Sequence, residues 1–246
     1  MDKLKLLITG ATGKLGKAIL ARGILNKELL IPSHNELDIT DKSSVENYFN
    51  THTINEIIHC AAIASVGLCE KDPSQAISTN SIGTAYLVEA ARKQKTRFIY
   101  ISTDYVYPCE QGNYKESDPT IPFTMYGWSK LGGELSVRTL ENYCIIRTSF
   151  FDPDNIPFDT AFTDSFCSKL PISEIAKDVI FLLDNTFNGI VNVGCDRISL
   201  YDLYKKYKPQ IKPESMLLNK EIIKRAKDSS LDISLFERIK GKLNGN

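Results

Sequence analysis

Three glycines near the start constrain this chain more than any other feature. Leu4–Thr9 is short and apolar, as a buried strand is. Lys14–Ile24 carries Leu15, Ala18, Ile19 and Arg22 at helical spacing. Between them stands Gly10-Ala11-Thr12-Gly13-Lys14-Leu15-Gly16. Glycines let a backbone turn tightly and let another group come close. The free amides at the start of the following helix favour an anion. A strand, a glycine turn and a helix in that order describe a phosphate-binding turn in a parallel α/β sheet.

The rest of the chain fits that frame. Strands are expected at Leu29–Ile31, Glu56–Cys60, Arg97–Ser102, Cys144–Arg147 and Gly189–Val193. Helices are expected at Thr40–Phe49, Pro73–Gln94, Tyr126–Asn142, Ile175–Asp184 and Leu200–Tyr207. Ser43 and Glu46 stand at capping-box spacing. Strands without polar alternation, joined by helices, imply a doubly wound, Rossmann-like parallel sheet covered on both faces. Residues 1–149 read as the dinucleotide-binding core. Residues 150–246 would complete the sheet, at about 173–207, and form a small discontinuous C-terminal substrate lobe.

Composition narrows the partners. The 246 residues hold 30 Lys and Arg against 30 Asp and Glu, so a polynucleotide ligand is not expected. No apolar run is long enough to span a bilayer, and the first residues lack the pattern of a signal peptide. The 6 cysteines are scattered without a CxxC pair, which suits free thiols in a reducing cytoplasm rather than a metal site.

In such sheets the ligand lies beyond the carboxyl ends of the strands, so the residues there carry the chemistry. A ribose with a free 2′-hydroxyl commonly meets a carboxylate at the end of the second strand. Here that end reads Ile31-Pro32-Ser33-His34-Asn35, and Ser33 and His34 are candidates to bond a 2′-phosphate. NADPH is therefore expected ahead of NADH. Asp38 is read as facing the adenine end.

Tyr126 and Lys130 are four residues apart, which places both on one helix face. A nearby ammonium favours the phenolate, so Lys130 is expected to lower the Tyr126 pKa and make it a general acid–base. Thr103 ends the Arg97–Ser102 strand, where its hydroxyl can bond a substrate carbonyl oxygen. Hydride from a nicotinamide to the adjoining carbon would complete a ketone reduction.

With these residues in hand, the chain resembles the extended short-chain dehydrogenases/reductases. The resemblance rests on the glycine turn, His59-Cys60-Ala61-Ala62, Asn80-Ser81-Ile82-Gly83, Ser102-Thr103-Asp104-Tyr105-Val106-Tyr107 and Tyr126 with Lys130. Leu37-Asp38-Ile39-Thr40-Asp41, Cys69-Glu70-Lys71-Asp72-Pro73 and Ile146-Arg147-Thr148-Ser149 are similar to its dTDP-4-dehydrorhamnose reductase branch. So is Arg225-Ala226-Lys227-Asp228-Ser229-Ser230-Leu231-Asp232, with Ala226 where that branch has proline.

The resemblance implies that Thr103, Tyr126 and Lys130 are catalytic. It implies that Gly10, Thr12, Gly13, Lys14, Leu15 and Gly16 cradle the pyrophosphate, and that Asp38 and Ile39 border the adenine. Ala61, Ala62 and Ile63 would line the middle of the cofactor, and Asn80 would support it. Tyr126 and Lys130 would also touch the cofactor, while Asp104, Tyr105 and Phe150 would face the substrate. The implied reaction is an NADPH-dependent reduction of a nucleotide-linked 4-keto-6-deoxysugar by a homodimer.

Two departures from that branch bear on the substrate. Phe150 stands where the branch has tryptophan, and its long substrate insertion is reduced to Phe150–Ile172, with Asp164-Ser165-Phe166-Cys167-Ser168-Lys169 in the corresponding place. A reductase or epimerase of a different small carbonyl compound therefore stays open. So does a non-catalytic NADP-binding regulatory subunit, like the partner of methionine adenosyltransferase.

Overall fold

The computed structural model describes residues 3–218 and 225–241. The chain begins with β1 (Leu4–Thr9), α1 (Lys14–Arg22), β2 (Lys27–Leu30), α2 (Lys42–Thr51) and β3 (Glu56–His59). It continues with α3 (Val66–Lys71), α4 (Pro73–Ile77), α5 (Thr84–Gln94), β4 (Arg97–Thr103), α6 (Met125–Val137) and β5 (Tyr143–Thr148). Short strands follow at β6 (Phe150–Phe151), β7 (Thr160–Phe162), β8 (Phe166–Cys167) and β9 (Leu170–Pro171). The rest is α7 (Ile172–Asp184), β10 (Gly189–Val193), β11 (Ile198–Ser199), α8 (Leu200–Lys205), β12 (Lys212–Glu214) and α9 (Ser234–Gly241).

Six parallel strands form one sheet in the order β2-β1-β3-β4-β5-β10. Every residue of β3 and β4 is buried, because helices cover both faces. On one face α1 and α7 pack Leu15, Ile19, Ile175, Val179 and Leu182 against the strands, and α9 adds Phe236. On the other, α2, α5 and α6 contribute Val45, Phe49, Leu87, Ala91 and Val137. The strand order reverses between β1 and β3, and the crevice at such a switch point is where ligands bind. The fold is the doubly wound, Rossmann-like one that the sequence implies.

Two local expectations are corrected. The capping box at Ser43 and Glu46 does not form. Asp41 caps α2 instead, accepting from the Ser43 amide at 2.9 Å, because an ionised carboxylate is the stronger acceptor. The stretch Pro73–Gln94 is not one regular helix. Between α4 and α5 the backbone widens into a π-turn over Ser78–Gly83. The wide turn carries two side chains that reach α6: Asn80 Nδ2 donates to Ser129 Oγ at 2.9 Å, and Ser81 Oγ donates to the Ser129 carbonyl at 2.7 Å.

The segment after β5 builds three two-stranded sheets, β6 with β9, β7 with β12 and β8 with β11. Phe151, Ala161, Cys167, Leu203, Tyr204 and Ile211 give this layer its own small core. Between these pieces α7 and β10 return to the main sheet, where β10 pairs with β5. The Arg225–Asp232 motif ties the layer down. Asp228 accepts from the amide and hydroxyl of Ser230 and pairs with Arg197 at 2.7 Å.

One buried ion pair links α6 to the sheet. Glu134 of α6 accepts from Arg147 of β5 at 2.7 and 3.0 Å and from Ser102 of β4 at 2.5 Å. Arg147 also donates to the Tyr107 hydroxyl at 2.8 Å. Burial opposes the arginine charge, but the Glu134 carboxylate outweighs it and holds the pKa above its usual value. Removing one member of such a pair strands the other's charge, at a cost of about 3–5 kcal/mol. Glu134→Gln should therefore lower unfolding stability by roughly that amount, measured by urea denaturation. A loss typical of an exposed ion pair would show that the bridge does not anchor α6.

Candidate active site

A cleft of about 390 Å³ opens beyond the ends of β1, β3, β4 and β5. Its floor is the glycine turn. Gly10 has φ +69°, a left-handed backbone, and a Cβ there would meet the Ala61 amide at 2.6 Å. A Cβ on Gly16 would strike the Gly10 carbonyl at 2.4 Å, so this glycine lets α1 pack against the turn. Gly13 differs. An added Cβ would meet only the Gly10 carbonyl, at 3.2 Å, so its outer side faces open space. Gly13 is the N-cap of α1 and no side chain caps the helix, which leaves its first amides directed at the cleft. Gly10, Gly13, Lys14, Leu15 and Gly16 line the cleft, while Thr12 is exposed and does not.

Across the cleft stand Thr103, Tyr126 and Lys130. Thr103 is the last residue of β4. Its hydroxyl donates to Asp104 Oδ1 at 3.0 Å and accepts from the Tyr105 amide at 3.1 Å, which fixes its position. Thr124 caps α6 through the Gly127 amide at 3.0 Å, and the helix then presents Tyr126 and Lys130 one turn apart. The Tyr105 ring stands edge-on to Tyr126 with centroids 6.4 Å apart.

The electrostatics differ from the expectation. Burial pushes the Tyr126 phenol well above its ordinary value, against the smaller opposing pull of Thr103. Burial also lowers the Lys130 ammonium to about 8. Lys130 places its nitrogen 4.1 Å from the centre of the Tyr100 ring. In this geometry desolvation dominates, and the phenol is not drawn toward neutrality.

The other expected residues divide. Asp104, Tyr105 and Phe150 line the cleft, as does Ala62. Ser33, His34, Asp38, Ile39, Ala61, Ile63 and Asn80 do not. The Ser33 amide and hydroxyl donate to the Glu36 carboxylate at 2.7 and 2.8 Å, so a 2′-phosphate would compete with Glu36 for them. Asp38 accepts from the amide and hydroxyl of Thr40. Asn80 is fully buried and clamps the loop after β3, accepting from the Ile63 amide at 2.8 Å and donating to its carbonyl at 3.0 Å. It positions the wall of the cleft without facing it. His59 is a core residue, bonded to Thr9 and Thr84, with burial lowering its pKa to about 3.

Sequence reasoning missed Thr148, Ser149 and Lys169, which also line the cleft. Thr148 and Ser149 were within reach of the rule that strand ends carry function, since they end and follow β5. Nothing local singles out Lys169. Asp104 Oδ2 and Thr148 Oγ1 are buried and make no hydrogen bond among the described residues, so the cleft holds polar atoms suited to a ligand.

A family model described as the RmlD substrate binding domain matches residues 4–155. The chain belongs to the RmlD substrate-binding domain family. Among relatives of this RmlD-family chain, a dTDP-4-dehydrorhamnose reductase of Aggregatibacter actinomycetemcomitans is 41% identical over 150 residues, covering 59% of this chain and 51% of that protein. A dTDP-4-keto-6-deoxy-D-glucose reductase of Streptomyces niveus is 36% identical over 149 residues, covering 58% and 51%. The chain thus spans about half the length of these curated relatives. A solved dTDP-4-dehydrorhamnose reductase from Bacillus anthracis, in complex with NADP, superposes with a TM-score of 0.87 at 26% identity. That likeness covers 99% of this chain and 94% of the other.

The depressed Lys130 pKa has a consequence for stability in this family member. Below pH 8 the ammonium is charged in both folded and unfolded states, and the folded state bears the full cost of burying it. Between about 8 and 10.5 the folded state loses its proton first, and stability climbs with pH. Lys130→Met should therefore raise stability below pH 8, by on the order of 3 kcal/mol. The gain should narrow as pH rises toward 10.5. Thermal melts of both proteins across pH 6.5–9.5 (roughly the window of the titration) check this. A pH-independent difference would refute the buried charge as its cause.

Proposed function

We propose that the chain is an NADPH-dependent reductase of a nucleotide-linked 4-keto-6-deoxysugar. The observation that carries this reading is Thr103, Tyr126 and Lys130 in one cleft with the glycine turn. Membership of the RmlD family and the names of its relatives support it. We assign residues 1–149 to the cofactor and the layer built from 150 onward, apart from α7 and β10, to the substrate.

The residues fit a dinucleotide. The open side of Gly13 and the uncapped amides of α1 suit a pyrophosphate, with Lys14 beside them. Gly10, Gly13, Lys14 and the first amides of α1 would hold NADPH, whose chemistry when bound would be hydride donation to a carbonyl carbon. Tyr126 supplies the proton to the oxygen. Donation needs a protonated phenol, which burial secures at neutral pH. Thr103 shares the same oxygen through its hydroxyl. Lys130 places a positive charge near the phenolate as it forms and can bond the ribose hydroxyls. The preference for NADPH rests on Ser33 exchanging Glu36, and His34 exchanging Asp38, for a 2′-phosphate, and tighter binding of NADH would refute it.

We also propose a homodimer in the cytoplasm. No helix among the described residues is long and apolar enough to cross a membrane. Ile77 of α4, Ile82 of the π-turn, and Trp128 and Leu135 of α6 are large apolar side chains left exposed on neighbouring elements. A monomer in sedimentation at working concentration would overturn the dimer.

The reaction has a direct test. Oxidation of NADPH should follow addition of a dTDP-4-keto-6-deoxysugar. Tyr126→Phe should lower turnover by about 10²–10⁴-fold, the usual worth of a general acid, while NADPH still binds. Unchanged turnover would remove Tyr126 as the proton donor.

A further inference from the structure

A second cavity of about 410 Å³ lies beside the catalytic cleft. Phe158, Phe162 and Tyr204 bring rings to its walls, and Glu214 and Arg225 bring charge. Two residues, Tyr105 and Lys169, line both cavities. Lys169 therefore stands at their junction, just before β9.

Its surroundings are unusual for a lysine. Tyr204, Tyr105, Cys167 and Asp104 face the ammonium, and together they hold its pKa above the ordinary value although burial opposes the charge. The Lys169 carbonyl accepts from Cys195 Sγ at 3.1 Å, but its ammonium forms no salt bridge among the described residues. Asp104 is the nearby acid. Burial raises the pKa of that carboxyl, and one of its oxygens makes no hydrogen bond among the described residues. The junction presents a buried ammonium, with no salt-bridge partner among the described residues, to whatever fills it. The surroundings thus keep the ammonium charged, and an anionic ligand in either cavity can pair with it.

The position says which anion. The glycine turn and the start of α1, at the floor of the cleft, account for the phosphates of a dinucleotide. Lys169 belongs instead to the C-terminal layer. A ketone at Tyr126 that extends past the edge of Tyr105 into the second cavity passes Lys169 on its way. We propose that Lys169 binds the diphosphate of the substrate, so that the chain selects a nucleotide-linked ketone over the free sugar. This rests on the reductase reading above and adds the residue that enforces its substrate class.

Titration calorimetry with dTDP, thymidine and NADPH on the wild type, Lys169→Met and Lys169→Arg tests it. Lys169→Met should weaken dTDP binding by about tenfold to a hundredfold, the worth of a hydrogen bond to a charged group. Thymidine and NADPH affinities should not change, which also reports an intact fold. Lys169→Arg should restore most of the loss. Equal dTDP affinity in the wild type and Lys169→Met would overturn the proposal alone. A parallel loss of thymidine binding, or a loss of NADPH binding in place of dTDP, would overturn it too. A wild type that binds NADPH but neither dTDP nor a dTDP-linked ketone would instead overturn the reductase reading on which it rests.

Discussion

The site depends on a carboxylate and a guanidinium buried beneath α6. Glu134 lies one turn beyond Lys130, and Arg147 precedes Thr148 at the end of β5. Ser102, the third partner, precedes Thr103. The parallel register pairs Ser102 with Arg147 and Thr103 with Thr148. Glu134 therefore grips one rung of the ladder, and the next rung faces the cleft. Helix packing by apolar contact alone tolerates small slides. A bidentate ion pair has a fixed geometry and does not. Moving Tyr126 relative to Thr103 would mean breaking charge-assisted bonds between buried groups. The same bridge reaches the C-terminal part of the chain through Tyr107, whose hydroxyl lies 3.1 Å from Asn192 Oδ1 of β10.

Much of this was legible because its causes are local. A strand, a glycine turn and a helix constrain one another within the first part of the chain, and β1 spans the residues expected of it. Continuous apolar runs named the central strands, since a sheet covered on both faces needs no polar alternation. Tyr126 and Lys130 were legible from helical spacing. Thr103 was legible from its place at a strand end. The family resemblance added Asp104, Tyr105 and Phe150, and the cleft brings all three together.

What stayed hidden depends on partners distant in sequence. Asn80 sits on a helix turn like many others, and only the fold shows that its amide is spent on Ile63 and Ser129. Ser33 carries a hydroxyl where a phosphate is welcome, but a carboxylate three residues on already holds it. The rule that a nearby lysine lowers a tyrosine pKa is sound for exposed pairs. It gave the wrong sign here because both groups are enclosed, and spacing along a helix says nothing of desolvation. Lys169 has no motif. Its meaning comes from a sheet and a layer that meet around it.

The charges of the cleft follow one logic. Three lysines, Lys14, Lys130 and Lys169, line it against one carboxyl group, Asp104, among the described residues. The chain as a whole has no net charge, so this excess is local. Of the three, Lys130 bears a burial cost that lowers its pKa to about 8, and an arriving anion can recover part of it. Binding of phosphate-bearing ligands and stability of the folded chain are therefore coupled, because a ligand that binds only the folded state stabilises it by mass action. Desolvation acts oppositely on the neighbouring phenol. The enclosure that makes the Lys130 ammonium costly also keeps the Tyr126 phenol protonated, so one physical cause sets the charge state of both groups in the cleft.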